Sequence, residues 1–289
     1  ITYADSKTCS FTYSNHCLKQ AKNIDDLSLK LSAGRSGNDA IKPFTSLAML
    51  DTYGTSSYLF GGQQPAAYRP IRIDSKDLTW EKTDLFNAAL TGSFFNSRLT
   101  VNAEAYYART SDLLLEVQTT QSTGYSKRYA NIGVTSNKGL ELTVESRNIV
   151  RKNFSWSTAF TASHNSQMVE DIGSENYIST YNAPGSGYMM YGYVKGYPVN
   201  ALWGFEYAGV WKSTDEVQRA LATHAVAAKD GVQTLGATIY VDKNHSGTVD
   251  REDLVFLGDA DPYIYGGLQN NFRWGNFNLG VFFAYSQIG

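Results

Sequence analysis

Leu99-Thr100-Val101-Asn102-Ala103-Glu104-Ala105-Tyr106-Tyr107 alternates apolar and polar residues. Successive side chains of a strand point to opposite faces, so the stretch writes a β-strand with one apolar face (Leu99, Val101, Ala103, Ala105, Tyr107) and one polar face. The same period recurs in Phe86, Ala88, Leu90 and Phe94 against Asn87, Thr91 and Ser93, and in Leu140, Leu142 and Val144 against Glu141, Thr143 and Glu145. It returns in Phe154, Trp156, Phe160 and Ala162 against Ser155, Ser157, Thr161 and Ser163. Near the C-terminus, Phe277, Leu279, Val281, Phe283 and Tyr285 alternate with Asn278, Gly280, Ala284 and Ser286. These stretches come in pairs. Strands at about 84–95 and 98–109 turn at Asn96-Ser97, those at about 133–148 and 154–166 between Val150 and Asn153, and those at about 263–274 and 276–287 at Gly275. Long segments, 110–132 and 167–262, separate the pairs. Short turns at one end and long loops at the other describe an all-β fold, an antiparallel transmembrane β-barrel segment. A soluble sandwich also alternates, but Asn, Ser, Thr and Gly dominate the polar face here, which suits a wet lumen.

Composition agrees. Of 289 residues, 42% are hydrophobic and 18% charged, against roughly 25% charged in ordinary soluble domains. Tyr (20), Phe (14) and Trp (5) together outnumber the 27 acidic residues, as the aromatic girdles of a barrel require. The formal net charge of −2 gives no pull towards nucleic acid. No run approaches 18 apolar residues, so a spanning structure has to be a closed barrel. Cys9 and Cys17 show neither CxxC nor zinc spacing, leaving a disulfide and two free thiols both open. The opening Ile1-Thr2-Tyr3 and the stop at Gly289, just beyond a strand pattern, read as an internal piece of a longer protein.

Between these landmarks, 1–24 shows no clear period, and Leu27, Leu29, Leu31 and Ala33 mark a first strand. Residues 36–80, with scattered Gly, Pro and aromatics, read as a loop with short strands. The 167–262 segment is too long to be passive in a compact domain. Within it Ser213-Thr214-Asp215-Glu216 reads as a capping box before Val217, Leu221 and Ala225, which predicts one short loop helix over about 214–228.

Two constellations in that segment carry chemistry. Asp242, Asn244, Ser246, the Thr248 carbonyl, Asp250 and Asp253, with Gly247 at the turn, follow the 1-3-5-7-9-12 oxygen spacing of a calcium loop. Ser246 stands where an acid is usual, and the short Asp253 replaces a bidentate Glu. A metal-free turn, in which Asp and Asn bond their own backbone, uses the same residues. Structural Ca2+ is one expectation; no organic cofactor is expected. The second constellation is the tract Tyr177, Tyr181, Tyr188, Tyr191, Tyr193 and Tyr197 with Gly185 and Gly187, whose rings, those of Tyr177, Tyr181, Tyr188 and Tyr191 above all, can meet a sugar or a partner. Packing of the same rings into an interface belt is the alternative. His16, His164, His224 and His245 are scattered, and HExxH, GxSxG and phosphate-loop signatures are missing. Glu104, Glu141 and Glu145 read as solvated wall charges rather than a glycosidase pair, so no enzyme is expected.

Seven collinear segments resemble SusC/RagA-type TonB-dependent transporters. Leu29-Lys30-Leu31-Ser32-Ala33-Gly34-Arg35-Ser36-Gly37-Asn38 comes first, then Asp77-Leu78-Thr79-Trp80-Glu81-Lys82-Thr83 and Phe94-Phe95-Asn96-Ser97-Arg98-Leu99. Tyr106-Tyr107 with Thr110-Ser111-Asp112-Leu113-Leu114 follows, then Asn131-Ile132-Gly133 with Asn137-Lys138-Gly139-Leu140-Glu141. Gly196-Tyr197-Pro198-Val199 and Gly204-Phe205 to Gly209-Val210-Trp211 complete the set. The resemblance implies a plugged barrel of about 22 strands in the Gram-negative outer membrane, with long loops outside. It implies import of a small oligosaccharide or peptide, a SusD-like lid lipoprotein, and energy from a TonB complex reached through an N-terminal part lying outside this chain. It also implies a cation at the Asp242–Asp253 loop. Residues 1–289 would then be part of the barrel, with 167–262 forming the extracellular mouth. On its own such a piece could not close. The competing reading is a soluble, secreted, calcium-stabilised β-sandwich that binds carbohydrate; a passive porin is a third.

Overall fold

The computed structural model describes residues 9–14, 23–38, 46–55, 59, 61–64, 66–75, 77–119, 122, 124–125, 127–182, 189–215, 226–227, 235–236 and 238–288. In chain order the strands are β1 (Cys9–Ser14), β2 (Ile24–Asn38), β3 (Met49–Thr55), β4 (Ala66–Arg72), β5 (Glu81–Phe94) and β6 (Leu99–Gln118). Then come β7 (Lys127–Val150), β8 (Phe154–Asp171), β9 (Tyr177–Asn182), β10 (Met189–Val194), β11 (Ala201–Phe205) and β12 (Tyr207–Val210). The last are β13 (Val226–Ala227), β14 (Thr238–Val241), β15 (Leu254–Asp259), β16 (Pro262–Trp274) and β17 (Phe277–Ile288). The chain divides into two compact units.

In the first unit the long strands run antiparallel in the order β1-β2-β5-β6-β7-β8-β16-β17, and β3 and β4 pair beside this path. Register sets the faces. Leu29, Leu90, Ala103, Leu142, Ala162 and Gly266 lie in one row across six strands; Leu31, Ala88, Ala105, Leu140 and His164 form the next. The alternate positions align Ser28, Thr91, Asn102, Thr143 and Thr161, and then Lys30, Ala89, Glu104, Glu141 and Ser163. The predicted apolar and polar faces are both present. On the apolar face of β7, Ser146 and Lys138 bracket Val144, Leu142 and Leu140. They stand eight positions apart, about 27 Å along a strand, close to the apolar band of about 25 Å on membrane barrels. Beyond that band the same face turns ionic. Arg35 Nε and Nη2 donate to both Asp84 oxygens at 2.6 and 2.7 Å, Arg109 pairs with Glu170 at 2.7 Å and Lys82 with Asp112 at 2.8 Å. Near the turn end, Trp156 Nε1 and Thr158 Oγ1 both donate to Asn270 Oδ1, at 3.0 and 2.7 Å, an amphipathic ring with a wet tip.

The apolar rows are not covered by protein. Leu140 is 60% exposed, Leu279 60% and Phe277 81%. Among the described residues, the buried apolar side chains of this unit are Val117, Ala130, Val169 and Ile172, all at the end away from the short turns. A sandwich would bury Leu90, Leu140 and Phe283 against an opposing sheet. Here they need hydrocarbon around them, and the sandwich reading is set aside. No helix of the described residues is long and apolar enough to cross a membrane; the crossing is made by strands.

Two glycines fit this pleat because a larger residue cannot. A Cβ on Gly139 would lie 2.4 Å from the ring of Tyr106, whose hydroxyl donates to Asn165 Oδ1 at 2.9 Å. One on Gly266 would meet the Thr161 carbonyl at 2.0 Å, the oxygen to which the Tyr285 hydroxyl donates at 3.1 Å.

Several boundaries differ from the sequence expectation. The 110–132 loop is mostly strand: β6 runs to Gln118 and β7 begins at Lys127, with a register shift between Thr110 and Leu113. Past the band lipid no longer faces one side, and Val117 and Ala130 are buried there by protein, so polarity stops alternating although pairing continues. Residues 36–80 hold the β3–β4 hairpin, and β1 lies in the aperiodic start. Cys17 lies outside the described residues, so the cysteine question stays as the sequence left it. Of the expected 214–228 helix, Thr214 and Asp215 are helical and 216–225 lie outside the described residues. Val226 and Ala227 are strand instead, held by pairing with Val241 and Tyr240.

Leu142 sits mid-band on the apolar face and Thr143 on the polar one. Leu142→Arg is expected to destabilise the intact protein in liposomes by about 2–4 kcal/mol. Thr143→Arg is expected to stay within about 1 kcal/mol of the parent. Urea unfolding followed by tryptophan fluorescence measures both; equal losses would contradict the assignment of faces.

Candidate functional site

Three groups of residues are placed to touch something other than their own fold. The first is the polar wall of the long sheet. Thr91 Oγ1 donates to Asn102 Oδ1 at 2.9 Å, and Asn87 Nδ2 donates to the Glu104 carboxylate. Glu104 and Glu141 face each other in register, with Lys30 in the same row beyond Ala89. Like charges directly opposite destabilise a sheet, and a wet surface tolerates them best. This wall can hydrogen-bond and attract cations; among its described residues no nucleophile is paired with a base. His164 lies on the opposite, apolar face, where its Nδ1 contacts the Tyr263 carbonyl at 2.6 Å and its ring sits 4.5 Å from that of Tyr263.

The second group lies in the unit built from Asn176–Asp261, where β15, β11, β10 and β9 form one sheet and β12, β14 and β13 another. Ile178, Ala201, Trp211, Ile239 and Val249 form its buried core. The four tyrosines singled out from sequence do not form one surface. Tyr181 and Tyr191 are cross-strand partners with ring centroids 6.3 Å apart, and Tyr181 is 52% exposed. Tyr177 is engaged elsewhere: Arg251 lies over its ring at 5.2 Å and donates to its hydroxyl. Tyr188 lies outside the described residues.

A tighter aromatic cluster joins Tyr197 of that tract to two rings that the sequence reading left out. Tyr197 stacks edge-on against Trp203 at 4.9 Å and lies 5.3 Å from Phe256, which is 6.0 Å from Trp203. The pairing of Trp203 with Phe256 joins β11 to β15. Tyr197 follows Gly196, whose φ of 83° lets the chain turn so that the Tyr197 N–H reaches the Val194 carbonyl at 3.1 Å. Trp203 Nε1 is buried without an acceptor. The available signal was the apolar alternation of Trp203 and Phe205; its partner lies over fifty residues away and left no local mark.

The third group is the Asp242–Asp253 loop. Asp242 and Asp253 are fully buried. Asp242 accepts from the Ser246 N–H at 3.1 Å and the Gly247 N–H at 2.7 Å. Asp253 accepts from Lys243 and Asn244 through Oδ1, at 2.8 and 3.3 Å, and from Asp250 through Oδ2 at 2.8 Å. Asn244 Oδ1 takes the Ser246 N–H at 2.9 Å, and Asp250 caps a 3-10 turn at Arg251–Asp253 by accepting from Glu252 at 2.8 Å. The predicted ligand set is gathered in one loop, but its carboxylates face backbone N–H groups. Among the described residues no group of three or more His, Cys, Asp or Glu is arranged to hold a metal ion.

Residues 20–286 match the family described as "TonB dependent receptor-like, beta-barrel". TonB-dependent receptor P26 of Formosa agariphila is 29% identical over 272 residues, covering 93% of this chain and 26% of that protein. TonB-dependent receptor SusC of Bacteroides thetaiotaomicron is 25% identical over 273 residues, covering 91% of this chain and 25% of that protein. Among solved structures, the RagAB peptide importer in its open-open state superposes with a TM-score of 0.72 at 21% identity, over 96% of this chain and 28% of that one. The chain thus spans about a quarter of the length of the curated relatives it matches. With strands, register and coverage in agreement, the chain belongs to the TonB-dependent receptor-like β-barrel family.

Proposed function

We propose that this chain is part of the barrel wall and outer mouth of a transporter that imports a small peptide or oligosaccharide across the Gram-negative outer membrane. The observation that carries the proposal is a band free of charged side chains on the apolar face, backed by a hydrogen-bonded polar face, in a chain that matches the family over 20–286. In this reading the short turns face the periplasm and the long 167–262 segment is extracellular. A SusD-like lipoprotein lids that mouth, and a TonB complex acts through parts of the protein beyond this chain. The relatives' names support uptake as the task, and the name of the RagAB importer favours a peptide. Binding and gating are the mechanism: aromatic faces and polar wall groups hold the cargo, and no bond in it is broken.

Deleting the gene is expected to abolish growth on one class of polymer-derived nutrient, peptides or oligosaccharides, and to spare growth on monomers. Growth equal to the parent on every such source would overturn the import reading. Within the intact protein, Tyr181→Ala is expected to raise the half-saturation concentration for uptake by about 2- to 12-fold, the worth of one aromatic contact at 0.5–1.5 kcal/mol. Labelled-cargo uptake by whole cells checks it.

Structural calcium at Asp242–Asp253 is a further proposal, supported by ligand spacing. The ion would have to take over lone pairs now given to the N–H groups of Ser246, Gly247, Lys243 and Asp250, so its affinity should be low. Isothermal titration of the intact protein is expected to show calcium binding no tighter than about 10⁻⁴ M. Silence up to ten millimolar would assign the loop to backbone closure alone.

A further inference from the structure

At the end of the long strands away from the short turns, three stretches far apart in sequence meet on one side chain. Asn131 Oδ1 accepts from the Thr79 N–H at 2.8 Å, and its Nδ2 donates to the Thr79 carbonyl at 2.8 Å and to the Asp112 carbonyl at 2.6 Å. Asp112 has a φ of 59°, uncommon for a residue with a Cβ, and Lys82 holds its carboxylate at 2.8 Å. The Ser75 N–H is tied to the Ser46 carbonyl at 2.9 Å. The stretch that leads into β5 is therefore fastened against β7 by an amide that satisfies three backbone groups.

Beside this clamp lies a cavity of about 350 Å3, at the small end of the range for ligand pockets. Ile73, Leu78 and Ile132 give it apolar walls, and Asp74, Asp77 and Arg128 bring charge to it. Arg35, Arg109 and Lys82 at this end are each bound to a carboxylate. Arg128 and Asp77 differ: they line one cavity without meeting, and among the described residues neither forms an ion pair. Charge-assisted hydrogen bonds are roughly twice as strong as neutral ones. An uncharged sugar brings hydroxyls to both groups and a counter-charge to neither. The guanidinium fork suits a carboxylate, and the aspartates suit an ammonium. A ligand that answers both across apolar walls is a peptide with free ends. At about 3.3–3.6 Å per extended residue, so small a cavity holds two or three residues.

We propose that this cavity binds a free di- or tripeptide, its terminal carboxylate on Arg128, its α-ammonium at Asp77 and an apolar side chain against Ile73, Leu78 and Ile132. The site rests on the import reading for its place outside the cell, and it narrows the cargo of that reading to peptides.

The test is isothermal titration of the intact protein in detergent with Ala-Leu-Ala, its N-acetyl form and its C-terminal amide. In the parent, acetylation and amidation should each weaken binding about tenfold, the loss of one charge-assisted contact. In Arg128→Gln, amidation should cost less than about twofold while acetylation keeps its penalty; Asp77→Asn should show the reverse. A neutral trisaccharide should not displace the peptide. Both side chains are exposed, so the near-isosteric changes spare the fold, and heat-modifiable migration on gels checks it. Should a variant fail to fold, the parent's response to the blocked peptides decides alone. Absence of either penalty in the parent, equal penalties in parent and folded variants, or displacement by the trisaccharide would overturn the proposal. Titration in detergent asks nothing of transport. A deletion strain that grows like its parent on every source therefore sinks the import reading and leaves the site standing, whereas penalties that do not cross between the variants sink only the site.

Discussion

Inside hydrocarbon, a backbone N–H or C=O without a partner costs several kcal/mol, and this constraint orders everything else in the long sheet. Antiparallel pairing satisfies the groups, and its period of two couples each register to a choice of face. With Leu31 opposite Ala88 and Ala105 opposite Leu140, Lys30, Glu104 and Glu141 fall on the wet side. A slip of one residue in β2, β6 or β7 would carry such a charge into lipid. The side chains thus specify the register many times over, with no buried core between sheets to help.

That economy explains what could be read from the chain alone. Alternation is sharpest where the two faces meet the most different solvents, so the middles of β5, β6, β7, β8, β16 and β17 were legible, as were the turns at Asn96-Ser97, Val150–Asn153 and Gly275. Where β6 and β7 continue past Arg109 and before Gly133, lipid no longer sets one face apart and the pattern vanishes, although Leu115 still pairs with Ala130 and Val117 with Arg128. The β3–β4 hairpin was hidden for a related reason: Pro70 lies within it and its sequence carries no clean period.

The candidate sites were less legible because they depend on direction and distance as well as on order. The spacing of Asp242, Asn244, Asp250 and Asp253 named the right cluster, yet it could not say that the lone pairs turn to backbone N–H groups. The tyrosine tract named the right region but mixed two environments, a cross-strand pair at Tyr181 and Tyr191 and a cation-capped ring at Tyr177. Tyr197, Trp203 and Phe256 converge only because β11 pairs with β15, a long-range register that no local window contains.

The continuation of paired strand beyond the lipid band has a further consequence. From Tyr107 to Gln118, β6 stays laddered to β7 over roughly 35 Å of ribbon. Proteases take their substrates as single extended chains whose backbone is free to join the enzyme's own strands, and a laddered ribbon withholds that backbone. A protease therefore finds the β6 backbone between Tyr107 and Gln118 already engaged with β7 wherever the ladder holds.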